Sequence, residues 1–318
     1  MAIFDLSLIS KYRTELMGVA TLLILLCHAA PNGVTLPLFF DKLFGLGNIG
    51  VDVFFFLSGV GLFFSIKKRK ISFFRWYIRR YKRILIPYFI IAIPWYGSRV
   101  FFTDDTIVNF VLNLTTVSFW LEHKGAWFVA ALVPLYLVSP FFYKLVNNGQ
   151  GIIFLFLVIL ICTFCDKIIP SYGVFLNVNF VLHRLPCFFI GLFSGSYILN
   201  KKKINFFSFL ISVLCLIILL KCMHSVNLIS EGYIWPSIFI LIPFCCCIFN
   251  NFKKVGVFFV LLGKISLESY LMNICLGNLL KTCNYLGHSS FTYLFLILIL
   301  GTIIAYFVNR LVANLYKL

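Results

Sequence analysis

An ionisable side chain within an apolar run is the first feature of this sequence that points to chemistry. His28 ends the run MGVATLLILLCH, which follows Lys11 and Arg13. At 1.5 Å of rise per helical residue, His28 lies about 22 Å beyond Arg13, which is well inside a bilayer. An ionisable group at that depth is costly and marks a functional site by default. His28 is therefore the first candidate catalytic residue.

A second titratable residue, Asp52, lies in the next apolar run, GVDVFFFLSG. The two runs predict consecutive antiparallel helices, so His28 near the end of one and Asp52 near the start of the other fall at similar depths. A carboxylate beside an imidazole would orient the ring and hold the tautomer that a general base needs. The alternative is that His28 only hydrogen-bonds a neighbouring helix. The pairing with Asp52 favours a catalytic role for both residues.

Cationic residues are concentrated in the segment FFRWYIRRYKRILIPYF. On a helix Arg79 and Arg83 are four positions apart, and Arg80 and Arg83 are three apart, so these guanidinium groups can share one face. Guanidinium groups suit phosphate oxygens, which they bind in a bidentate manner. A basic flank at the inner end of a membrane helix also has a purely topological explanation. The preference for arginine over lysine in this segment favours phosphate binding.

Three further residues are candidates for the lining of a cavity or an acceptor site: Arg184, Glu268 and Trp127. Arg184 and Glu268 lie in apolar surroundings, where ionisable residues usually face the interior of a helical bundle. Trp127 opens another apolar run, a position at which tryptophan is more often an interface anchor. We predict no metal site, because the 11 cysteines lie mostly in apolar runs, where a thiol behaves as a small hydrophobe.

The elements that must position these residues are membrane helices. The chain has 318 residues, of which 62% are hydrophobic and only 12% are charged, whereas a soluble domain has about 25% charged residues. We predict an all-α fold, a polytopic integral membrane bundle formed by a single domain over residues 1–318. About ten apolar spans are predicted, near residues 14–30, 50–66, 84–102, 126–146, 151–166, 181–199, 205–222, 233–249, 257–280 and 291–314.

The distribution of basic residues predicts the topology. The net charge is +17, and with the N-terminus inside, most lysines and arginines fall at the inner ends of the spans. The positive-inside rule then places both termini in the cytoplasm. Since topology accounts for the basic excess, we predict no nucleic-acid partner.

Six motifs in order along the chain resemble the acyltransferase type 3 family of polytopic bacterial membrane enzymes, which mostly O-acetylate cell-surface glycans. They are the first-span histidine, GVDVFFFLSGVGL at 50–62, RRYKRILIPY at 79–88, WFVAALVPLYLVSP at 127–140, RLPCFFIGLFSG at 184–195 and GKISLESYL at 263–271. The resemblance implies that His28 is catalytic. It also implies that Arg80 and Arg83, with Arg79 adjacent, bind an acyl-coenzyme A donor.

The chain departs from the family pattern at two positions. The family arginine eleven positions before the histidine corresponds to Met17, and the nearest arginine, Arg13, is its candidate replacement at the donor site. The ninth-span motif, which often ends in histidine, here ends in Asn273. The soluble esterase-like domain of some members is not seen in this sequence, so we expect transfer to be completed within the bundle.

These observations predict an integral membrane O-acyltransferase in the bacterial inner (cytoplasmic) membrane, with acetyl-CoA as the favoured co-substrate and no bound cofactor. The predicted acceptor is a sugar hydroxyl of a surface polysaccharide or its lipid-linked precursor. General-base catalysis by His28 and a covalent acyl-His28 intermediate both stay open, as does the oligomeric state. The alternative class is an exporter or flippase of a glycan or lipid, in which His28 and Asp52 relay protons. The repeat symmetry of transporters is not seen, which disfavours that alternative.

Overall fold

The structure is a computed structural model that describes residues 3–29, 34, 36–122, 125–169, 172–229, 235–282 and 295–316. The chain is almost entirely helical in these ranges, as predicted. A small antiparallel sheet pairs Ile3–Asp5 (β1) with Lys203–Asn205 (β2), with Phe4 opposite Ile204. The sequence did not indicate these strands, because three residues are too few to show a periodic pattern.

The α-helices in the described ranges differ widely in length. In chain order they are α1 Ser7–Lys11, α2 Arg13–Cys27, α3 Leu38–Gly45, α4 Ile49–Lys67, α5 Phe73–Phe102, α6 Ile107–Leu114, α7 Val117–Glu122, α8 Trp127–Asn147, α9 Gly151–Thr163, α10 Cys165–Ile168, α11 Val174–Leu182, α12 Leu185–Leu199, α13 Phe206–Ser225, α14 Ile238–Asn251, α15 Lys253–Lys264, α16 Ser266–Thr282 and α17 Gly301–Leu315. Single 3₁₀ turns cover Leu46–Asn48 and Trp235–Ser237, and a π-helical segment covers Phe295–Leu300.

Long apolar helices make this a multi-pass membrane protein. Within the described ranges, six helices are long and apolar enough to cross a bilayer: Leu38–Lys67, Phe73–Phe102, Trp127–Asn147, Asn177–Leu199, Phe206–Ser225 and Phe295–Leu315. A seventh crossing results if α15 and α16, which meet at a bend of 65°, form one broken span. Two further predicted spans correspond to the shorter apolar helices Gly151–Thr163 and Trp235–Asn251.

The first predicted span also corresponds to a short helix. Helix α2 has 15 residues, or about 22 Å of helix, which is less than the ~30 Å hydrocarbon core. Six or seven crossings are therefore supported by length and composition, and the count of ten stays a prediction.

The chain folds into two compact units that interleave along the sequence. Unit 1 comprises residues 1–20, 49–70 and 136–260, and unit 2 comprises residues 21–48, 71–135 and 261–318. Each unit draws on three separate segments, so neither is a contiguous domain that the chain could form on its own. The prediction of one domain over the whole chain stays a prediction.

Close packing of α4 on α12 forms the centre of unit 1. The two helices approach so closely that a Cβ at Gly59 would overlap the carbonyl of Phe188, and a Cβ at Gly191 would overlap the carbonyl of Phe56. Gly195, four positions after Gly191, lies directly against the ring of Phe63. Small residues at such spacing allow helix backbones to approach in membranes, where the hydrophobic effect between helices is absent.

This packing predicts a position-dependent cost for added methyl groups. Gly59→Ala and Gly191→Ala should each lower the free energy of unfolding by about 1–3 kcal/mol, because α4 and α12 must separate to admit the methyl group. Gly45→Ala is the control, since a Cβ at Gly45 meets nothing within 4 Å. Thermal unfolding of the detergent-solubilised protein measures the effect. Equal midpoints for all three variants would contradict the packing described here.

Unit 2 is built around α5, α16 and α17, which pack on one another. The Tyr88 hydroxyl on α5 donates a hydrogen bond of 2.7 Å to the carbonyl of Asn113 in α6. The backbone N–H of Phe128 in α8 donates to the Tyr270 hydroxyl on α16 at 3.3 Å. The second of these bonds joins α16 to α8, and α16 carries the side chain that meets His28.

Candidate active site

His28 occupies the first position after α2, in unit 2, where the helix ends in a turn. The carbonyl oxygen of Ile24 lies 2.7 Å from His28 Nδ1 and also accepts the backbone N–H of His28 at 3.3 Å. Cys27 Sγ lies 3.8 Å from the same ring nitrogen. The imidazole is therefore held against the last turn of its own helix.

The contact with Ile24 selects the tautomer of His28. A carbonyl oxygen only accepts hydrogen bonds, and 2.7 Å is a hydrogen-bond distance, so Nδ1 carries the proton and donates it to Ile24. In the neutral ring the lone pair is then on Nε2. An imidazole with a basic Nε2 and a fixed Nδ1–H is the form required of a general base.

Asn273 on α16 is the second side chain at this imidazole. Its amide nitrogen lies 3.1 Å from His28 Nδ1. Asn273 is buried, and its Oδ1 has no hydrogen-bond partner among the described residues. The two ends of an amide are assigned from the hydrogen-bond network, and a protonated Nδ1 requires the oxygen to face it. Exchanging the two amide atoms lets Oδ1 accept from Nδ1 together with Ile24.

A small apolar cluster in unit 2 includes two residues that are close to His28 in sequence. Leu25, three positions before His28, and Ala29, directly after it, pack with Val34 and with Ile297 of the π-helical segment, and all four are at most 5% exposed. His28, the residue before Ala29, is itself half-buried.

Asp52 lies in unit 1, on α4, and its partner is Arg184 immediately before α12. Arg184 Nη1 donates to Asp52 Oδ2 at 2.7 Å, with the Asp52 side chain fully buried and that of Arg184 19% exposed. Asp52 Oδ1 is buried and has no hydrogen-bond partner among the described residues. Sequence reasoning singled out both residues but did not pair them, because they are 132 positions apart.

The predicted orientation of His28 by Asp52 stays a prediction, since the two residues belong to different units. Within each unit the structure supplies a different partner. The carbonyl of Ile24 holds the His28 tautomer, and Arg184 takes one carboxylate oxygen of Asp52. A buried carboxylate needs such a pairing, because an isolated buried charge is very costly.

Breaking the Asp52–Arg184 ion pair should destabilise the fold. We expect Asp52→Asn to lower the free energy of unfolding by about 3–5 kcal/mol, because a largely buried guanidinium is left without its counter-charge. The rate of acyl transfer should fall less in Asp52→Asn than in His28→Ala.

The control is Asp105→Asn, which breaks an ion pair of the same length, 2.7 Å, between Arg99 and Asp105 in unit 2. Arg99 is 39% exposed, so solvent screening should keep that loss below about 1 kcal/mol. Thermal unfolding of both variants checks the difference, and equal losses would show that burial of the Asp52 pair has no energetic consequence.

The arginine cluster lies in the N-terminal part of α5, in unit 2. The hydroxyl of Ser72 caps this helix by accepting the N–H of Arg75 at 3.4 Å. Arg79 and Arg83 are exposed and Arg80 is half-buried, so helical periodicity places the three where an anionic ligand can reach them. Exposure alone fits both the phosphate-binding and the topological interpretation.

Glu268, the predicted cavity residue on α16, is enclosed by other helices of unit 2. It is 4% exposed and accepts a hydrogen bond of 2.9 Å from Asn309 on α17. Arg83 acts on Glu268 electrostatically. Burial raises the pKa of Tyr316, just beyond α17, and Arg83 opposes that rise. Arg83, Glu268 and Tyr316 thus form one electrostatic cluster where α5, α16 and α17 meet.

The other two predicted site residues have structural contacts. Trp127 begins α8, and its ring packs against Phe119 and Phe128. Arg13 begins α2, and its Nε and Nη2 donate to the carbonyl of Leu57 at 3.4 and 3.3 Å. Its guanidinium lies against Gly61, where a Cβ would be 2.7 Å from Nη2. The role of Arg13 at the donor site and of Trp127 at an acceptor site stay predictions.

No cluster of three or more His, Cys, Asp or Glu side chains suited to a metal ion occurs in the part of the chain that the structure describes. Cys165 and His183 in unit 1 come within 3.8 Å of each other. The expectation that no metal is bound stays a prediction.

The fold and the site define a multi-pass membrane protein that carries a tautomer-fixed histidine. A family model described as an acyltransferase domain matches residues 16–310, nearly the whole chain. The chain therefore belongs to the acyltransferase type 3 family of membrane acyltransferases, as the motifs predicted. Neither a curated protein nor a solved structure gives a match.

Two partners of His28 were missed by sequence reasoning. The Ile24 carbonyl lies at position i−4, so helix geometry offered a signal for it. Asn273 was noted only as a departure from a family motif, and its distance of 245 positions from His28 gave no local signal.

Proposed function

We propose that this chain is an integral membrane O-acyltransferase of the bacterial cytoplasmic membrane that transfers an acyl group, with acetyl favoured, from cytoplasmic acyl-CoA. The acceptor is a sugar hydroxyl of a surface polysaccharide or its lipid-linked precursor. Membership of the membrane acyltransferase family supports the class of reaction. Donor, acyl group and acceptor are the further steps of the proposal.

The observation that carries this proposal is the 2.7 Å contact between His28 Nδ1 and the Ile24 carbonyl. It leaves Nε2 as the basic atom of a ring that is held against the last turn of its own helix. A fixed tautomer does not suit a proton relay, because an imidazole that relays a proton takes it up at one ring nitrogen and releases it from the other. The fixed ring thus favours the acyltransferase over the exporter.

In the proposed reaction His28 Nε2 removes the proton of the acceptor hydroxyl as its oxygen attacks the thioester carbonyl carbon. The bond between that carbon and the sulfur of coenzyme A then breaks. The proton held at Nε2 passes to the departing thiolate, which regenerates the neutral ring. While the ring is charged, the Ile24 carbonyl stabilises the Nδ1–H, and an amide oxygen at Asn273 would add to this.

The remaining residues complete the proposed site. Arg79, Arg80 and Arg83 bind the phosphates of coenzyme A, and Arg13 takes the role of the missing family arginine. Asp52 acts as a catalytic or positioning group. Arg184, Glu268 and Trp127 stay candidates for the acceptor side.

The topology in the membrane is part of the same proposal. Ten crossings with both termini in the cytoplasm would place the basic N-terminal part of α5 on the side where acyl-CoA is made. This arrangement is supported by the distribution of lysine and arginine along the sequence.

The test is mass spectrometry of the surface glycans of the source bacterium, with the intact gene, without it, and with the gene restored as His28→Ala. We expect a loss of one acetyl group per repeat in the second and third strains and recovery with the wild-type gene. Unchanged glycan masses in the deletion strain would contradict the acceptor class. A mass difference other than acetyl would identify another acyl group.

A further inference from the structure

Two polar side chains on α16, Ser269 and Asn273, are buried with an oxygen that lacks a hydrogen-bond partner. Their exposures are 2% and 3%. Neither Ser269 Oγ nor Asn273 Oδ1 has a partner among the described residues. Buried polar atoms are nearly always hydrogen-bonded, so two exceptions about one helical turn apart call for a common explanation.

Helix geometry places these two side chains on the same face of α16. Residues four positions apart lie one above the other, and each side chain leans toward the N-terminus of its helix. The amide of Asn273 therefore leans toward Ser269. The hydroxyl of serine can both donate and accept, and χ1 has three staggered positions by which it can be redirected. Ser269 thus offers the Asn273 amide a hydroxyl from the preceding turn.

The amide of Asn273 also faces the candidate catalytic histidine, which lies in the same unit. Its nitrogen is 3.1 Å from His28 Nδ1, and the Ile24 carbonyl accepts the Nδ1 proton at 2.7 Å. An amide NH₂ group directed at Nδ1–H opposes one donor to another, whereas the amide oxygen accepts. The orientation of the Asn273 amide therefore supports or opposes the tautomer that Ile24 selects.

One hydrogen bond would partner both buried side chains. When Asn273 Oδ1 faces the imidazole, the NH₂ group points away from the ring and needs an acceptor. Ser269 Oγ is an acceptor on the same helix face and is itself without a partner among the described residues. A bond from Asn273 Nδ2 to Ser269 Oγ would hold the amide with its oxygen toward His28.

We propose that Ser269 is a positioning residue for the candidate base: it accepts a hydrogen bond from Asn273 Nδ2 and so directs Asn273 Oδ1 to the Nδ1–H of His28. This series of hydrogen bonds keeps the lone pair of the neutral ring on Nε2. Its meaning for catalysis rests on the proposed function, since it takes His28 to be the base of acyl transfer.

NMR of the full-length protein with isotope-labelled histidine nitrogens tests this proposal, because protonated and unprotonated ring nitrogens differ in chemical shift. The chain has five histidines, and the signals that vanish in His28→Ala belong to His28. At a pH at which the ring is neutral, the wild type should show a protonated Nδ1 and an unprotonated Nε2.

A pair of variants isolates the role of Ser269. Ser269→Ala removes the acceptor and lets the amide turn its NH₂ group toward Nδ1, which favours a proton on Nε2. One net hydrogen bond corresponds to a shift of the tautomer ratio by about 2- to 10-fold. In the double variant Ser269→Ala with Asn273→Leu no amide competes, so the Ile24 carbonyl should restore the proton to Nδ1.

Ser266→Ala is the matched control, because Ser266 is a buried serine at the start of the same helix. It should leave the tautomer of His28 unchanged. An unchanged tautomer in Ser269→Ala, or an equal shift in Ser266→Ala, would overturn the positioning role. Failure of the double variant to restore the proton to Nδ1 would do the same.

Kinetic measurements separate this proposal from the proposed function. If His28 is the base, Ser269→Ala should lower kcat for acetyl transfer by at most the same factor and leave KM for acetyl-CoA unchanged. The expected tautomer shifts together with no acyl transfer by the wild type would overturn the proposed function and leave the positioning role standing. Acyl transfer by a wild type whose tautomer does not respond to Ser269→Ala would overturn only the positioning role.

Discussion

Replacement of His28 by alanine is expected to lower the rate of acyl transfer by about 10²–10⁴-fold, the usual contribution of a general base. The variant should still fold, because the His28 side chain lies after the last residue of α2 and the backbone bonds of that helix do not depend on it. The measurement is single-turnover transfer of labelled acetyl from acetyl-CoA in membranes, normalised to the amount of inserted protein.

His224→Ala is a matched control for this experiment. His224 lies in the last turn of α13, and its Nδ1 contacts the carbonyl of Ile229 at 3.1 Å, so it also pairs a ring nitrogen with a backbone carbonyl near a helix end. Its removal should leave transfer unchanged. Near-normal transfer by a well-inserted His28→Ala protein would show that another residue supplies the base. Loss of transfer in both variants would indicate general sensitivity to the removal of a histidine.

Substitution of the arginines on α5 should weaken binding of the donor. Charge-assisted hydrogen bonds are worth about 1.5–3 kcal/mol, so Arg83→Gln or Arg80→Gln should raise the dissociation constant of acetyl-CoA by roughly 10- to 100-fold. Lysine at either position should restore binding only in part, because an ammonium group cannot reproduce the bidentate guanidinium geometry. The affinity of the wild type should also fall with ionic strength, since Arg79 and Arg83 are exposed.

The topological interpretation of these arginines makes the opposite prediction. If Arg80 and Arg83 serve only to orient the helix by the positive-inside rule, then lysine at either position should leave the dissociation constant of acetyl-CoA unchanged. Lys68→Gln is the control, because Lys68 is a basic residue at the end of α4 that is exposed and has no proposed part in the site. Equal effects at Lys68 and Arg83, measured by direct binding to the purified protein, would remove the support for a donor site on α5.

Hydropathy was enough to predict a helical membrane protein. Backbone polar groups in lipid must be hydrogen-bonded within the protein, and few structures other than helices achieve this. The count of crossings was less well determined. Composition alone cannot distinguish a continuous helix from one that bends, as α15 and α16 do by 65° at Ile265. It also cannot show where a helix is too short to cross alone, as with α2.

At the candidate site, too, the sequence identified individual residues, whereas the tertiary structure identified their distant partners. The sequence identified His28 and Asp52, because an ionisable residue in an apolar run is costly wherever the chain folds. Its motifs also identified the family, which the match over residues 16–310 confirms. The contact of His28 with Ile24 follows from the helix repeat and lay within reach of the sequence.

Only the tertiary structure paired Asp52 with Arg184 and brought Asn273 to His28, across 132 and 245 positions respectively. It also left the buried indole N–H of Trp95 without an acceptor among the described residues. These pairings depend on which helix faces pack together, and packing is decided by shape over the whole unit. Residue type fixes the cost of burying a charge, whereas the fold decides which partner offsets that cost.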